Sequence, residues 1–106
     1  MASRNNSESD LELLYVLMQP TRQKIIRLLK ESNKPLYVRE IADKIDESER
    51  NTSFHLSTLA EKGFVDGEYR EIGPSSHHSL VTNKAAKFYK LTPKVESISK
   101  RFAKGL

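Results

Sequence analysis

Residues 38–65, VREIADKIDESERNTSFHLSTLAEKGFV, decide the reading of this chain. Val38, Ile41, Ala42 and Ile45 recur at the spacing of one apolar helix face. Asp46, Glu47, Ser48 and Glu49 make a tight polar turn, and Ser48 or Asp46 can cap the next helix. This second helix is expected from about 49 to 62, with Gly63 in the left-handed position that favours glycine at a helix C-terminus. Thr52, Leu56, Leu59 and Gly63 share its inward stripe, with His55 on the border. Advancing about 100° per residue turns Arg50, Phe54 and Ser57 outward, flanked by Asn51, Ser53 and Thr58. Two short helices across a tight turn are the geometry that sets a helix into the major groove of duplex DNA.

The outward set has the chemistry for base edges. Arginine grips guanine, asparagine pairs with adenine, and serine or threonine hydroxyls serve either. Phe54 is an unusual residue for an exposed position; contact with a thymine methyl would explain it, and so would packing beneath a following hairpin. Ser48 at the helix start and Arg39 on the preceding helix complete the contacts expected there. The plain alternative for the polar members is a solvated helix face.

Composition bounds the rest. The 106 residues suit one domain with a modest core, or a dimer that adds core at its interface. Eighteen Lys and Arg against fourteen Asp and Glu give a net charge of +4, a mild bias towards a polyanionic partner. With no cysteine, disulfides, thiolate metal sites and cysteine catalysis are excluded. No apolar run approaches the roughly 18 residues a membrane helix needs, and MASRNNSESD is no signal peptide, so the cytoplasm is the expected compartment.

Residues 1–8 read as a disordered tail. Ser9 with Glu12 makes a capping box, opening a helix over LELLYVLM, residues 11–18, that is apolar nearly all round. Either it is a central buried helix, or it is buried on two sides, in its own core and against a second subunit. The second option is preferred because so short a chain has little core to surround a helix. Pro20 suits the first turn of the next helix, whose core stripe is Ile25, Leu28 and Leu29 with Ile26 at its edge. SNKP, residues 32–35, stops it, and Leu36 and Tyr37 form a brief extended piece.

After the second helix of the central unit, FVDGEYREI (64–72) and AKFYKLT (86–92) have strand-like content and flank the turn-rich GPSSHHSLVTNKA. A hairpin in that place is a wing, and Arg70, Lys84 and Lys87, with His77 and His78 near its tip, are expected to reach phosphates or a minor groove. The alternative for each is an ordinary charged loop. Past Pro93, a short helix carries Val95, Ile98 and Phe102 on a narrow stripe. It covers the core, pairs with the first helix in a dimer, or forms a basic tail near DNA. The expected architecture is mainly α with a small β-hairpin: a winged helix-turn-helix of about five helices plus a two-stranded wing. Residues 9–92 form its DNA-binding domain, and residues 93–106 a C-terminal helix for dimerisation or core capping.

Several segments together resemble the ArsR-type winged-helix transcription regulators. The matching residues are Pro20-Thr21-Arg22, Ser53-x-His55-Leu56-x-x-Leu59, Gly63-Phe64-Val65 and Phe88-Tyr89-x-Leu91, spanning about residues 11–92. The resemblance implies a dimer joined through the first and last helices and bound to a two-fold symmetric operator. Leu11, Leu14, Tyr15, Met18, Val95, Ile98 and Phe102 would form its interface. Many members sense metals through a cysteine pair, but Tyr37 and Arg39 stand where those thiolates would be. The final helix has no histidine, and adjacent His77 and His78 lack multi-ligand spacing, so neither a metal nor any other cofactor is expected. Glu47 takes the place of an apolar turn residue, and the wing loop is longer than the family norm.

The charge is unevenly placed. Residues 46–62 hold four acids and two bases, whereas residues 20–45 hold seven bases and three acids. Phosphate affinity is therefore expected from the flanking helices, the wing and the C-terminal segment, while the second helix discriminates. An enzyme fails on inventory: there is no phosphate-binding glycine loop, nucleophile elbow or metal cluster, and the three histidines have no evident acid partner. The expected function is a sequence-specific, double-stranded-DNA-binding transcription regulator acting as a homodimeric repressor. The alternative is a winged-helix protein–protein interaction module in a transcription or DNA-processing assembly.

Overall fold

The structure, a computed structural model, describes residues 9–72 and 85–105, with side chains described as far as Phe102. Its elements follow in the order α1 (Asp10–Leu17), α2 (Pro20–Glu31), β1 (Leu36–Tyr37), α3 (Val38–Ile45), α4 (Glu49–Glu61), β2 (Val65–Glu71), β3 (Ala85–Leu91) and α5 (Pro93–Gly105).

Local chemistry sets most of these boundaries. Ser9 and Glu12 form the reciprocal capping box, each side chain accepting from the other's backbone N–H at 3.2 Å. Pro20 opens α2, and the Gln19 side chain caps it by accepting from the Arg22 N–H at 2.9 Å. Glu40 reaches back to accept from the Tyr37 N–H at the start of α3. Asp46 turns left-handed (φ 61°) to end that helix, and Ser48 Oγ caps α4 by accepting from the Asn51 N–H at 3.0 Å. Gly63 (φ 85°) ends α4, and the Phe64 N–H returns to the Leu59 carbonyl at 2.8 Å.

The sheet has three antiparallel strands in the order β1-β3-β2, not the two of a simple wing. Leu36 pairs with Tyr89 and Tyr37 with Phe88, while β2 pairs with β3 from Val65↔Leu91 to Glu71↔Ala85. Two extended residues before a helix carry no readable alternation of their own; β3 makes them a strand by taking up their backbone hydrogen bonds.

One core gathers residues from every element: Leu13 and Leu17, Ile25 and Leu29, Leu36, Ile41 and Ile45, Leu56 and Leu59, Val65, Tyr89, Val95 and Ile98, with Phe64 between α4 and β2. α1 is not a central buried helix. It buries Leu13 and Leu17, with Val16 packed at the core's edge, whereas Leu11, Tyr15 and, just past its end, Met18 are exposed by 68%, 80% and 58%. Val95 and Ile98, expected at a subunit interface, lie in the core of the protomer, and Phe102 packs against that core. Among the described residues no helix is long and apolar enough to cross a membrane.

Candidate nucleic-acid interface

α4 is gripped on one side and open on the other. Thr52, His55, Leu56 and Leu59 are buried against α2, α3 and the sheet. On the opposite side Arg50, Ser53, Phe54 and Ser57 are exposed, and none of the three polar side chains makes a hydrogen bond among the described residues. Phe54 is 59% exposed, so among the described residues it is not covered by the hairpin. Its ring meets the His55 ring edge-on at 5.1 Å.

The other expected members of the reading set are engaged locally. Ser48 is the helix cap, and the Thr58 hydroxyl donates to the Phe54 carbonyl at 3.2 Å. Asn51 Nδ2 donates to Glu47 Oε1 at 2.9 Å, and Glu47 Oε2 lies 3.8 Å from Lys24 Nζ. Glu47 therefore serves as a polar brace across the turn where the resemblance implies an apolar residue. Arg39 reaches Glu49 at 3.6 Å, an exposed pair of little energetic weight.

His55 is buried where the sequence suggests a border position. Its Nδ1 accepts from Arg22 Nε at 3.0 Å, which places the ring proton on Nε2. Burial lowers its pKa and the Arg22 guanidinium lowers it further, with Glu47 opposing. The ring is thus held neutral.

Alternation along β2 and β3 sorts the wing residues by face. Val65, Gly67, Tyr69, Lys87 and Tyr89 share the face that packs on the helices. Beyond the core, Lys87 Nζ sits 5.3 Å from the centre of the exposed Tyr69 ring. Arg70 lies on the opposite face, over Phe88 at 5.5 Å and 3.7 Å from Glu68. Sequence reasoning misses Tyr69, although alternation from apolar Val65 carries the signal. His77, His78 and Lys84 lie outside the described residues.

α5 is fastened to the end of α4. Thr92 Oγ1 donates to the Gly63 carbonyl at 2.6 Å, and Lys94 Nζ donates to the Lys62 carbonyl at 2.7 Å. α4 is thus pinned at its start by Ser48, at its middle by Arg22 and at its end by α5.

Residues 17–68 match the model of a helix-turn-helix domain family. Among curated protein sequences none matches the chain. The fold is similar to the solved structure of a protein with a GntR superfamily winged-helix-turn-helix domain from Halomicrobium mukohataei. The TM-score is 0.68 at 20% identity, covering 95% of this chain and 71% of that one. Both likenesses meet on α3 and α4, and the chain folds as a winged helix-turn-helix, an architecture suited to DNA-binding regulation.

Proposed function

We propose that this protein is a sequence-specific double-stranded-DNA-binding transcription regulator, acting in the cytoplasm as a homodimeric repressor that blocks promoter access. The observation that carries the reading is α4: a helix fixed along one side, with Arg50, Ser53, Phe54 and Ser57 free along the other. Arg50 supplies a forked donor for guanine, the serines adaptable hydroxyls, and Phe54 an apolar contact for a thymine methyl. Lys87, beside the exposed Tyr69 on the wing, supplies a cation for the phosphate backbone. The second subunit docks on α1, where Leu11, Tyr15 and Met18 form an apolar face that none of the described residues covers, edged by Leu14. In lineage the reading follows the resemblance to ArsR-type regulators, without their metal switch.

Selection of bound sequences from a random duplex pool tests binding, symmetry and spacing together. Two-fold symmetric sites with half-site centres about 10 base pairs apart are expected. Failure to enrich any sequence overturns the reading. A protein-interaction module is then favoured, for which exposed Phe54 near Asp46, Glu47 and Glu49 is the supporting feature.

A further inference from the structure

Arg22 sits in the first turn of α2, half-buried, with no carboxylate partner among the described residues. Its Nη1 donates to the Val16 carbonyl at 3.1 Å, in the last turn of α1. Its Nε donates to His55 Nδ1 at 3.0 Å, in the middle of α4. One planar guanidinium therefore joins three helices through donors whose directions are fixed relative to each other. A lysine has the charge but not the fork, and cannot reproduce that pair of directions.

His55 is the receiving end. It lies among the buried residues of α4, and its neighbour Phe54 stands on the outward face with the two rings in edge contact. Movement of the His55 ring would therefore be felt one residue away, on the surface offered to a base edge. The remaining anchors at this level, Thr52, Leu56 and Leu59, are held by packing alone; the Thr52 hydroxyl has no hydrogen-bond partner among the described residues. Apolar packing is non-directional and tolerates small rotations, whereas a forked donor does not.

We infer that Arg22, acting through His55, is a positioning residue for DNA recognition: it fixes the rotation of α4 against α1 and α2, and with it the aim of Arg50, Ser53, Phe54 and Ser57. The inference rests on the reading of α4 as the helix that meets DNA. It assigns to Arg22 a role in discrimination, distinct from the phosphate attraction any surface arginine supplies.

The test compares Arg22→Lys, His55→Asn and His55→Leu in the full chain, each titrated against the duplex selected by the wild type and against a scrambled duplex. Arg22→Lys keeps the charge and breaks the fork. Its affinity for the selected duplex is expected to fall about tenfold, the scale of one charge-assisted hydrogen bond, with less than about a twofold change on the scrambled one. His55→Asn retains an acceptor close to the position of Nδ1 and is expected to keep the preference that His55→Leu loses. Equal losses on both duplexes, no loss, or identical behaviour of the two His55 variants overturns the inference. Should Arg22→Lys fail to fold, the two His55 variants decide it. If the wild type prefers no duplex, the DNA reading has failed by itself. The link is then judged by amide resonances: those of residues 53–58 must shift in Arg22→Lys while those of residues 95–101 stay, and unmoved α4 resonances overturn it.

Discussion

The side-chain amide of Asn51 donates to Glu47 Oε1 across 2.9 Å, closing the turn between α3 and α4 from the side. Glu47 is held in turn near Lys24 on α2, so the bond fastens the start of α4 to the body of the domain. An amide occupied in this way has less to offer an adenine than a free one, because a bidentate contact needs both its donor and its acceptor. Arg50, one position earlier, has no such tie among the described residues. Arg50→Ala is expected to weaken binding to the selected duplex by about 1–3 kcal/mol, the usual scale of a bidentate base contact. Asn51→Ala should instead lower stability by about 1 kcal/mol and change DNA affinity less. Urea midpoints and duplex titrations on the two variants separate these outcomes; a larger binding loss for Asn51→Ala reverses the assignment.

Gly67 is placed by space rather than by backbone conformation. A Cβ there would lie 2.9 Å from Tyr89 Cε2 and about as close to Lys87 Cε, at 3.0 Å. Lys87 can swing aside, but the Tyr89 ring is buried and packs into the core beside Leu36. Gly67→Ala is therefore expected to destabilise the fold by about 1–3 kcal/mol through overpacking, visible as a lower thermal midpoint. Tyr89→Leu in the same background should recover part of the loss, and a Gly67→Ala protein as stable as the wild type would show that the ring has room to move.

His55 gives the stability a defined pH dependence. Burial and the Arg22 guanidinium lower its pKa below the ordinary 6.5 of the unfolded chain. Between those two values the unfolded state binds more protons, so stability rises with pH there. The contribution of the neutral ring is fully present above the unfolded value and is lost as pH falls through the folded one. Carboxylates titrate lower and leave this window to histidine. Urea midpoints from about pH 7.5 down to about pH 5 should fall more steeply for the wild type than for His55→Asn. Parallel curves for the two proteins would mean that protonation of His55 is not what the fold resists.

The central unit is legible in the sequence because both its helices are amphipathic at a period that needs no partner to read. Ile41, Ala42 and Ile45 on α3, and Thr52, Leu56 and Leu59 on α4, are buried where a 100° advance puts them. The burial of His55 is not legible, because a polar ring on the edge of a stripe is buried only if something satisfies it, and Arg22 lies 33 residues away. The engagement of Asn51 escapes for the same kind of reason, since a turn acid and a helix amide four residues apart have several possible partners. α1 misleads in the other direction. An apolar run says that a helix avoids water, and is silent on which of its sides its own domain covers. Leu36 and Tyr37 become a strand through β3, a partner about fifty residues further on.

The faces of the wing lead to a prediction about salt. Charge alone groups Lys87 and Arg70 as phosphate contacts, yet they lie on opposite faces of the sheet. Lys87 is on the face that packs on the helices, beside Tyr69, and its ammonium has no carboxylate partner among the described residues. Arg70 is on the other face, already placed over Phe88 and near Glu68. If the wing meets the DNA backbone with the face that carries Lys87 and Tyr69, the Arg70 side turns away. Each phosphate neutralised contributes about 0.9 to the slope of log affinity against log salt. Lys87→Ala is thus expected to reduce that slope by close to one unit on any duplex, and Arg70→Ala by much less. Titrations of both variants at several salt concentrations measure the two slopes directly. A greater reduction for Arg70→Ala would mean that the wing meets DNA with its outer face.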